Sequence, residues 1–123
     1  MIPTNNGYNF DECLPTIYWN VKTRIEYIQR RIIVFSIMYY ELNDSCITDK
    51  QYDSISKQLV EYMNTTPKKI LEQTYYWYCM SDFDGSTGFD LYNRLTESDR
   101  EYLTGIAKYV LKIYHGGKKC KEK

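Results

Sequence analysis

The residues in this 123-residue chain best equipped for nucleophilic or metal chemistry are four cysteines and one histidine. Cys13, Cys46, Cys79 and Cys120 stand far apart, with no Cys-x-x-Cys pair. Their spacing therefore encodes neither a zinc site nor a redox dithiol. They read as structural thiols, and no metal is expected. His115 is the only histidine and precedes Gly116-Gly117, a setting for a helix cap or surface contact rather than general-base work. No Ser-His-Asp or Cys-His set can be assembled around it. The run Ser81-Asp82-Phe83-Asp84-Gly85-Ser86-Thr87-Gly88 puts two carboxylates next to a glycine. It departs from the calcium-loop spacing and lacks that loop's terminal Glu. Its aspartates are expected to bond to their own backbone.

Asp-x-Asp-Gly after an apolar run also resembles the nucleophile motif of haloacid-dehalogenase-type phosphatases. The resemblance implies Asp82 as nucleophile and Asp84 as acid/base, with magnesium between carboxylates. That chemistry needs a parallel sheet and further lysine and acidic motifs, which a helix-rich chain does not supply. No catalytic residue is assigned, and the protein is expected not to be an enzyme.

The elements that must position any site are organised by residues 35–63. Thr48 followed three residues later by Gln51 is a capping box, in which a hydroxyl and an amide satisfy two backbone donors at a helix start. Asp49 adds a negative charge where the helix dipole favours one. Tyr52, Ile55, Leu59 and Tyr62 then recur at spacings of three and four. Before the turn, Val21, Ile25, Ile28, Ile32, Phe35, Tyr39 and Leu42 repeat the same alternation. Two such helices joined by residues 43–47 predict an antiparallel helical hairpin.

The run Tyr39-Tyr40-x-Leu42-x-Asp44-x-x-Ile47-x-Asp49-x-x-Tyr52-Asp53 resembles the small helical Ia module at the front of NAD-dependent DNA ligases. That module grips the nicotinamide mononucleotide (NMN) half of NAD with a Tyr-His pair and an Asp-x-x-Tyr-Asp signature. Position by position, the resemblance implies Tyr39, Tyr40, Asp49, Tyr52 and Asp53 as nucleotide contacts, with Tyr40 standing where the family has histidine. Tyr39 and Tyr52 would stack on nicotinamide, and Asp49 and Asp53 would take ribose hydroxyls or the ring amide. The match covers about a quarter of the chain. Ligation itself is not implied. The adenylated lysine of a Lys-x-Asp-Gly motif is absent, so the expectation is a stand-alone relative without the catalytic domains.

Around this centre the rest reads as one small all-α bundle. Residues 1–15 carry Pro3, Pro15 and Asn5-Asn6-Gly7 and predict an extended arm pinned by Tyr8, Phe10 and Leu14. Residues 16–117 form the helical domain, with the long helix starting between Thr16 and Val21. Its outer face carries Lys22, Arg24, Arg30 and Arg31, read as a solvated face with a phosphate patch as the sharper option. Thr66 as cap and Pro67 at the first helical position predict a segment through Ile70, Leu71, Thr74, Trp77 and Tyr78 to Met80. Tyr75-Tyr76-Trp77-Tyr78 is aromatic on every face. A short helix or turn is expected within residues 89–95. Thr96 should cap a last helix with Leu103, Ile106, Val110 and Ile113 as its buried stripe, stopped by Gly116-Gly117. Residues 118–123 are expected to be a disordered basic tail.

Formal charge is zero, which argues against affinity built on phosphate neutralisation, so direct nucleic-acid binding is not expected. No apolar run approaches a membrane span, and a cytoplasmic protein is expected. A helical chain with one alanine, Ala107, avoids the best helix former, as coding by an AT-rich genome of low-GC bacteria or their phages would produce. Charge is uneven: six acids and two arginines lie in residues 82–101, six lysines and one acid in residues 102–123.

The leading expectation is a non-catalytic binding protein of phage or mobile-element type. It would inhibit or redirect a host DNA-processing or defence nuclease, in the manner of an anti-CRISPR. Fourteen tyrosines and two tryptophans suit interface anchoring. Tyr75, Tyr76, Asp82, Asp84, Asp90 and Glu97 are the candidate partner-binding residues, the acids steering a basic partner surface. The alternative is a pyridine-nucleotide module related to the ligase Ia domain, binding NMN or NAD.

Overall fold

The computed structural model describes residues 20–86 and 88–122, with side chains as far as Gly116. The expected arm, and with it Tyr8, Phe10, Cys13 and Leu14, lies outside the described residues, as does the Cys120 side chain. Among the described residues every regular element is helical. No helix there is long and apolar enough to cross a membrane.

Helix α1, Val21–Ser36, starts where Asn20 accepts a hydrogen bond from the Thr23 amide at 2.8 Å. Ile25, Ile28 and Ile32 form its buried face, joined by Ile33 and Val34. The helix then widens into one π-helical turn, Ile37–Glu41. The extra residue in that turn rotates the side chains beyond it about the helix axis. Ile37 and Met38 enter the core, whereas Tyr39, expected on the buried stripe, is 56% exposed. Asn43 reverses the chain with φ of +55°, a conformation asparagine tolerates better than most residues.

Helix α2, Asp49–Thr65, carries the capping box in full: Thr48 Oγ1 accepts from the Gln51 amide, and Gln51 Oε1 accepts from the Thr48 amide at 2.8 Å. Caps of this type contribute about 1 kcal/mol. Leu59 is fully buried. Arg24, near the start of α1, donates to the Tyr62 hydroxyl near the end of α2 at 3.2 Å. Ser36, at the end of α1, bonds to Tyr52 near the start of α2 at 2.9 Å. The two helices therefore run in opposite directions.

The next segment departs from expectation. Thr66 is extended and closes α2, and Pro67 is the cap of the short α3, Lys68–Leu71, rather than its first residue. The helix does not continue to Met80. Thr74 turns its hydroxyl onto the Leu71 carbonyl at 2.7 Å, and the Tyr75 amide donates to Glu26 at 2.9 Å. These bonds compete with helical ones. The chain resumes as α4, Trp77–Met80.

After the 81–90 loop come α5, Leu91–Arg94, and α6, Glu97–Glu122. Thr96 Oγ1 accepts from the Asp99 amide at 3.2 Å, as a cap should. The buried face of α6 is Leu103, Ala107 and Leu111, while Ile113 is 56% exposed. The expected stripe is thus turned. The small Ala107 faces inward and lets α6 approach the bundle closely, which a count of large aliphatic residues does not foresee. Nor does Gly116-Gly117 stop the helix: it runs through both glycines to Glu122, so residues 118–122 are helical.

Candidate functional site

A cavity of about 280 Å³ opens where the end of α1, the 42–48 loop and the first turns of α2 meet. Tyr39, Tyr40, Asp49, Tyr52 and Asp53 all line it. The π turn supplies Tyr39 and Tyr40. The capping box aims the first turns of α2, where Asp49 and Asp53 sit one turn apart on the same face. Phe35 and Ile47 add apolar wall, and Ser86 reaches in from the distant 81–90 loop.

Several lining hydroxyls are already engaged. Ser36 bonds to Tyr52, Ser45 donates to the Ile47 carbonyl at 2.7 Å, and Thr48 caps α2. Burial pushes the Tyr52 phenol above its ordinary value, with the Ser36 bond pulling the other way. Among the described residues Asp49 and Asp53 have no hydrogen bond or ion pair. Among the described residues no lysine or arginine lines the cavity. What it offers is aromatic surface and two carboxylates, a combination suited to a flat cationic ring joined to a group rich in hydroxyls.

The 81–90 loop closes the site from above. A Cβ on Gly88 would lie 2.0 Å from Ser36 Oγ and 2.6 Å from the Tyr52 hydroxyl, so only glycine fits over that pair. Phe89 packs edge-on against Tyr40 with ring centroids 5.4 Å apart, and Tyr40 against Tyr39 at 4.9 Å. Ser36, Ser86, Gly88 and Phe89 were not among the sequence candidates. The only local signal was a glycine in a turn-rich run, and nothing in it pointed to α1.

The basic face of α1 is partly occupied. Lys22 pairs with Glu26 at 3.0 Å, and Arg24 donates to Tyr62. The Arg31 guanidinium lies 5.4 Å from the Tyr27 ring centre and 5.6 Å from that of Phe35, itself a wall of the cavity.

The other candidates are scattered. Asp84 accepts from the Ser86 amide at 3.0 Å and hydroxyl at 2.6 Å, which lowers its pKa, as the self-bonded loop predicts. Asp82 pairs chiefly with Arg94 at 2.5 Å, which holds its carboxyl low, with its own backbone amide adding to the effect. The parallel sheet a phosphatase nucleophile would need has no counterpart among the described residues. Of the expected partner-binding set, Asp82, Asp84, Asp90 and Glu97 are exposed. Tyr75 is 59% exposed, but Tyr76 is 5% exposed and belongs to the core, so it is withdrawn from that set. Burial lifts its phenol to about 12.

Asp99, overlooked in the sequence, is a buried carboxylate that accepts from Tyr75 at 2.9 Å and Tyr78 at 2.5 Å. His115 Nε2 lies 2.9 Å from Asp44 Oδ2 and ties α6 to the loop beneath the cavity. Burial raises both described thiols, Cys79 to about 12, so neither is a ready nucleophile at neutral pH. Among the described residues no three His, Cys, Asp or Glu side chains cluster as a metal site.

A DNA ligase of Endomicrobium trichonymphae is 33% identical over 51 residues, 42% of this chain. The chain spans 8% of the length of that ligase. No family model matches the chain, and no solved structure does.

Proposed function

We propose that the cavity between α1 and α2 binds the nicotinamide half of a pyridine nucleotide, NMN or NAD, and holds it without transforming it. One observation carries this reading: the five residues singled out by the likeness to the ligase Ia module line a single cavity. The similarity to a DNA ligase over part of the chain points the same way. In this reading the oxidised nicotinamide ring, a cation, lies against Tyr39, Tyr40 and Tyr52, and Asp49 and Asp53 take the ribose hydroxyls or carboxamide. The lysine on which a ligase forms its adenylate has no Lys-x-Asp-Gly setting here, so binding is proposed without transfer.

Titration calorimetry with NMN, NAD and ADP-ribose tests it. NMN and NAD should bind and ADP-ribose, which lacks nicotinamide, should not. Asp53→Ala should weaken both by roughly tenfold, the loss of about one charge-assisted hydrogen bond. An absence of heat from NMN at millimolar concentration ends the reading.

A second reading is a phage- or mobile-element-encoded protein that binds and inhibits or redirects a host nuclease, as an anti-CRISPR does. It draws support from the exposed carboxylates Asp84, Asp90 and Glu97, which suit a basic partner surface. Tyr76 no longer contributes, and Asp82 is partly neutralised by Arg94. A pull-down from host lysate that recovers no stoichiometric nuclease counts against it.

A further inference from the structure

The outward face of α6 carries apolar side chains that the described residues leave uncovered. Tyr102, Tyr109 and Ile113 are all exposed, Tyr109 by 65%. Gly105 lies between them in the middle of the helix, and nothing comes within 4 Å of where its Cβ would stand. Glycine at such a position weakens a helix relative to alanine, and among the described residues no close packing accounts for it.

At about 100° per residue, the helix sets Tyr102, Tyr109 and Ile113 on one side of Gly105. Glu97, Glu101, Lys108 and Lys112 fall on the other. Among the described residues none of these four charges makes an ion pair. Their order matters: both acids precede Gly105 and both lysines come after it.

We infer that this face pairs with the same face of a second copy, the two α6 helices crossing antiparallel at Gly105. A two-fold axis lying between the helices and perpendicular to them keeps like sides together while reversing direction. Tyr102 of each copy then meets Tyr109 of the other, apolar side on apolar side. On the opposite side Glu101 of each copy meets Lys108 and Lys112 of the other. Gly105 lets the two backbones approach at the crossing. The same reversal selects the occupant. A uniformly acidic or basic surface, an anionic membrane included, would be repelled by one half of the charged row. A second copy run antiparallel satisfies both halves.

Sedimentation of the full chain at tens of micromolar tests this. The expected mass is twice the 14.8 kDa of one chain. Tyr109→Glu should give a monomer with unchanged far-UV circular dichroism. Glu101→Lys and Lys112→Glu should each weaken the dimer by about tenfold, as like charges come to face one another. The fourfold variant Glu97→Lys/Glu101→Lys/Lys108→Glu/Lys112→Glu, which reverses every charge in the row, should return to within about threefold of the original, because each facing pair attracts again. A wild-type monomer at these concentrations overturns the inference. A dimer that survives Tyr109→Glu overturns the interface. A fourfold variant weaker than either single overturns the antiparallel register.

Discussion

The hydroxyls of Ser36 and Tyr52 share a hydrogen bond of 2.9 Å, linking the end of α1 to the first turns of α2, and the backbone of Gly88 lies on top of it. Both residues line the candidate cavity, as does Ser86 from the same loop as Gly88. Both helices and a loop distant in sequence therefore depend on a contact in which one partner must lack a side chain.

Gly88→Ala should lower stability by about 1–3 kcal/mol, the usual cost of forcing a methyl group into filled space. Urea unfolding measures it. Because the nearest clash is with Ser36 Oγ, Ser36→Ala should recover part of the loss in the double variant. Losses that simply add would show that the clash is elsewhere.

Tyr52→Phe removes the Ser36 partner and should cost about 1 kcal/mol, or more where the serine hydroxyl finds no replacement. Arg24→Ala removes the other hydrogen bond between α1 and α2, and as a half-exposed contact should cost less than Tyr52→Phe. The same urea series compares the two, and the reverse order would place the principal tie at the Arg24 end of the pair.

Asp99→Asn should destabilise the protein by about 1.5–3 kcal/mol, the range for hydrogen bonds to a charged group. The carboxylate accepts two phenols, and the amide offers one acceptor where there were two. It also removes a negative charge from the first turn of α6, where the helix dipole favours one. Thermal melting of Asp99→Asn beside Tyr75→Phe and Tyr78→Phe should find the aspartate variant the least stable.

Stability should fall at alkaline pH. Folding lifts Cys79 from 9.0 to about 12 and Tyr76 from 10.0 to about 12. Raised values mean that the folded chain keeps protons the unfolded chain has already released. The contribution is complete below pH 9 and is lost as pH rises toward 12, with a limiting slope of about 1.4 kcal/mol per pH unit per group. Urea midpoints from pH 8 to 11 measure the decline, and Cys79→Ala should delay its onset by removing the lower-titrating group.

Ser86→Trp should fill the cavity from its loop side and abolish NMN binding. Ser86 is exposed, so stability should change by no more than about 0.5 kcal/mol beyond the loss of its contact with Asp84. Calorimetry and a melt on the same sample separate the two effects. Undiminished NMN affinity would place the nucleotide elsewhere.

The sequence by itself determined the helical class, the capping box at Thr48, the cap at Thr96 and the candidacy of Tyr39, Tyr40, Asp49, Tyr52 and Asp53. These features are local. A cap is closed by residues three apart, and an amphipathic stripe repeats within two turns, so both are written in neighbouring letters. Tertiary structure alone decided the rest. It brought Ser86 into the α1–α2 cavity, Gly88 onto Ser36 and Tyr52 and Phe89 onto Tyr40, buried Tyr76 while leaving Tyr75 outside, and paired Asp82 with Arg94. It also rolled α6 so that Ala107 faces inward and Ile113 outward. Each of these depends on how closely distant segments can approach. That distance is set by the smallest side chain between them, Gly88 at the cavity and Ala107 in the core, and a pattern of large apolar residues carries no record of it.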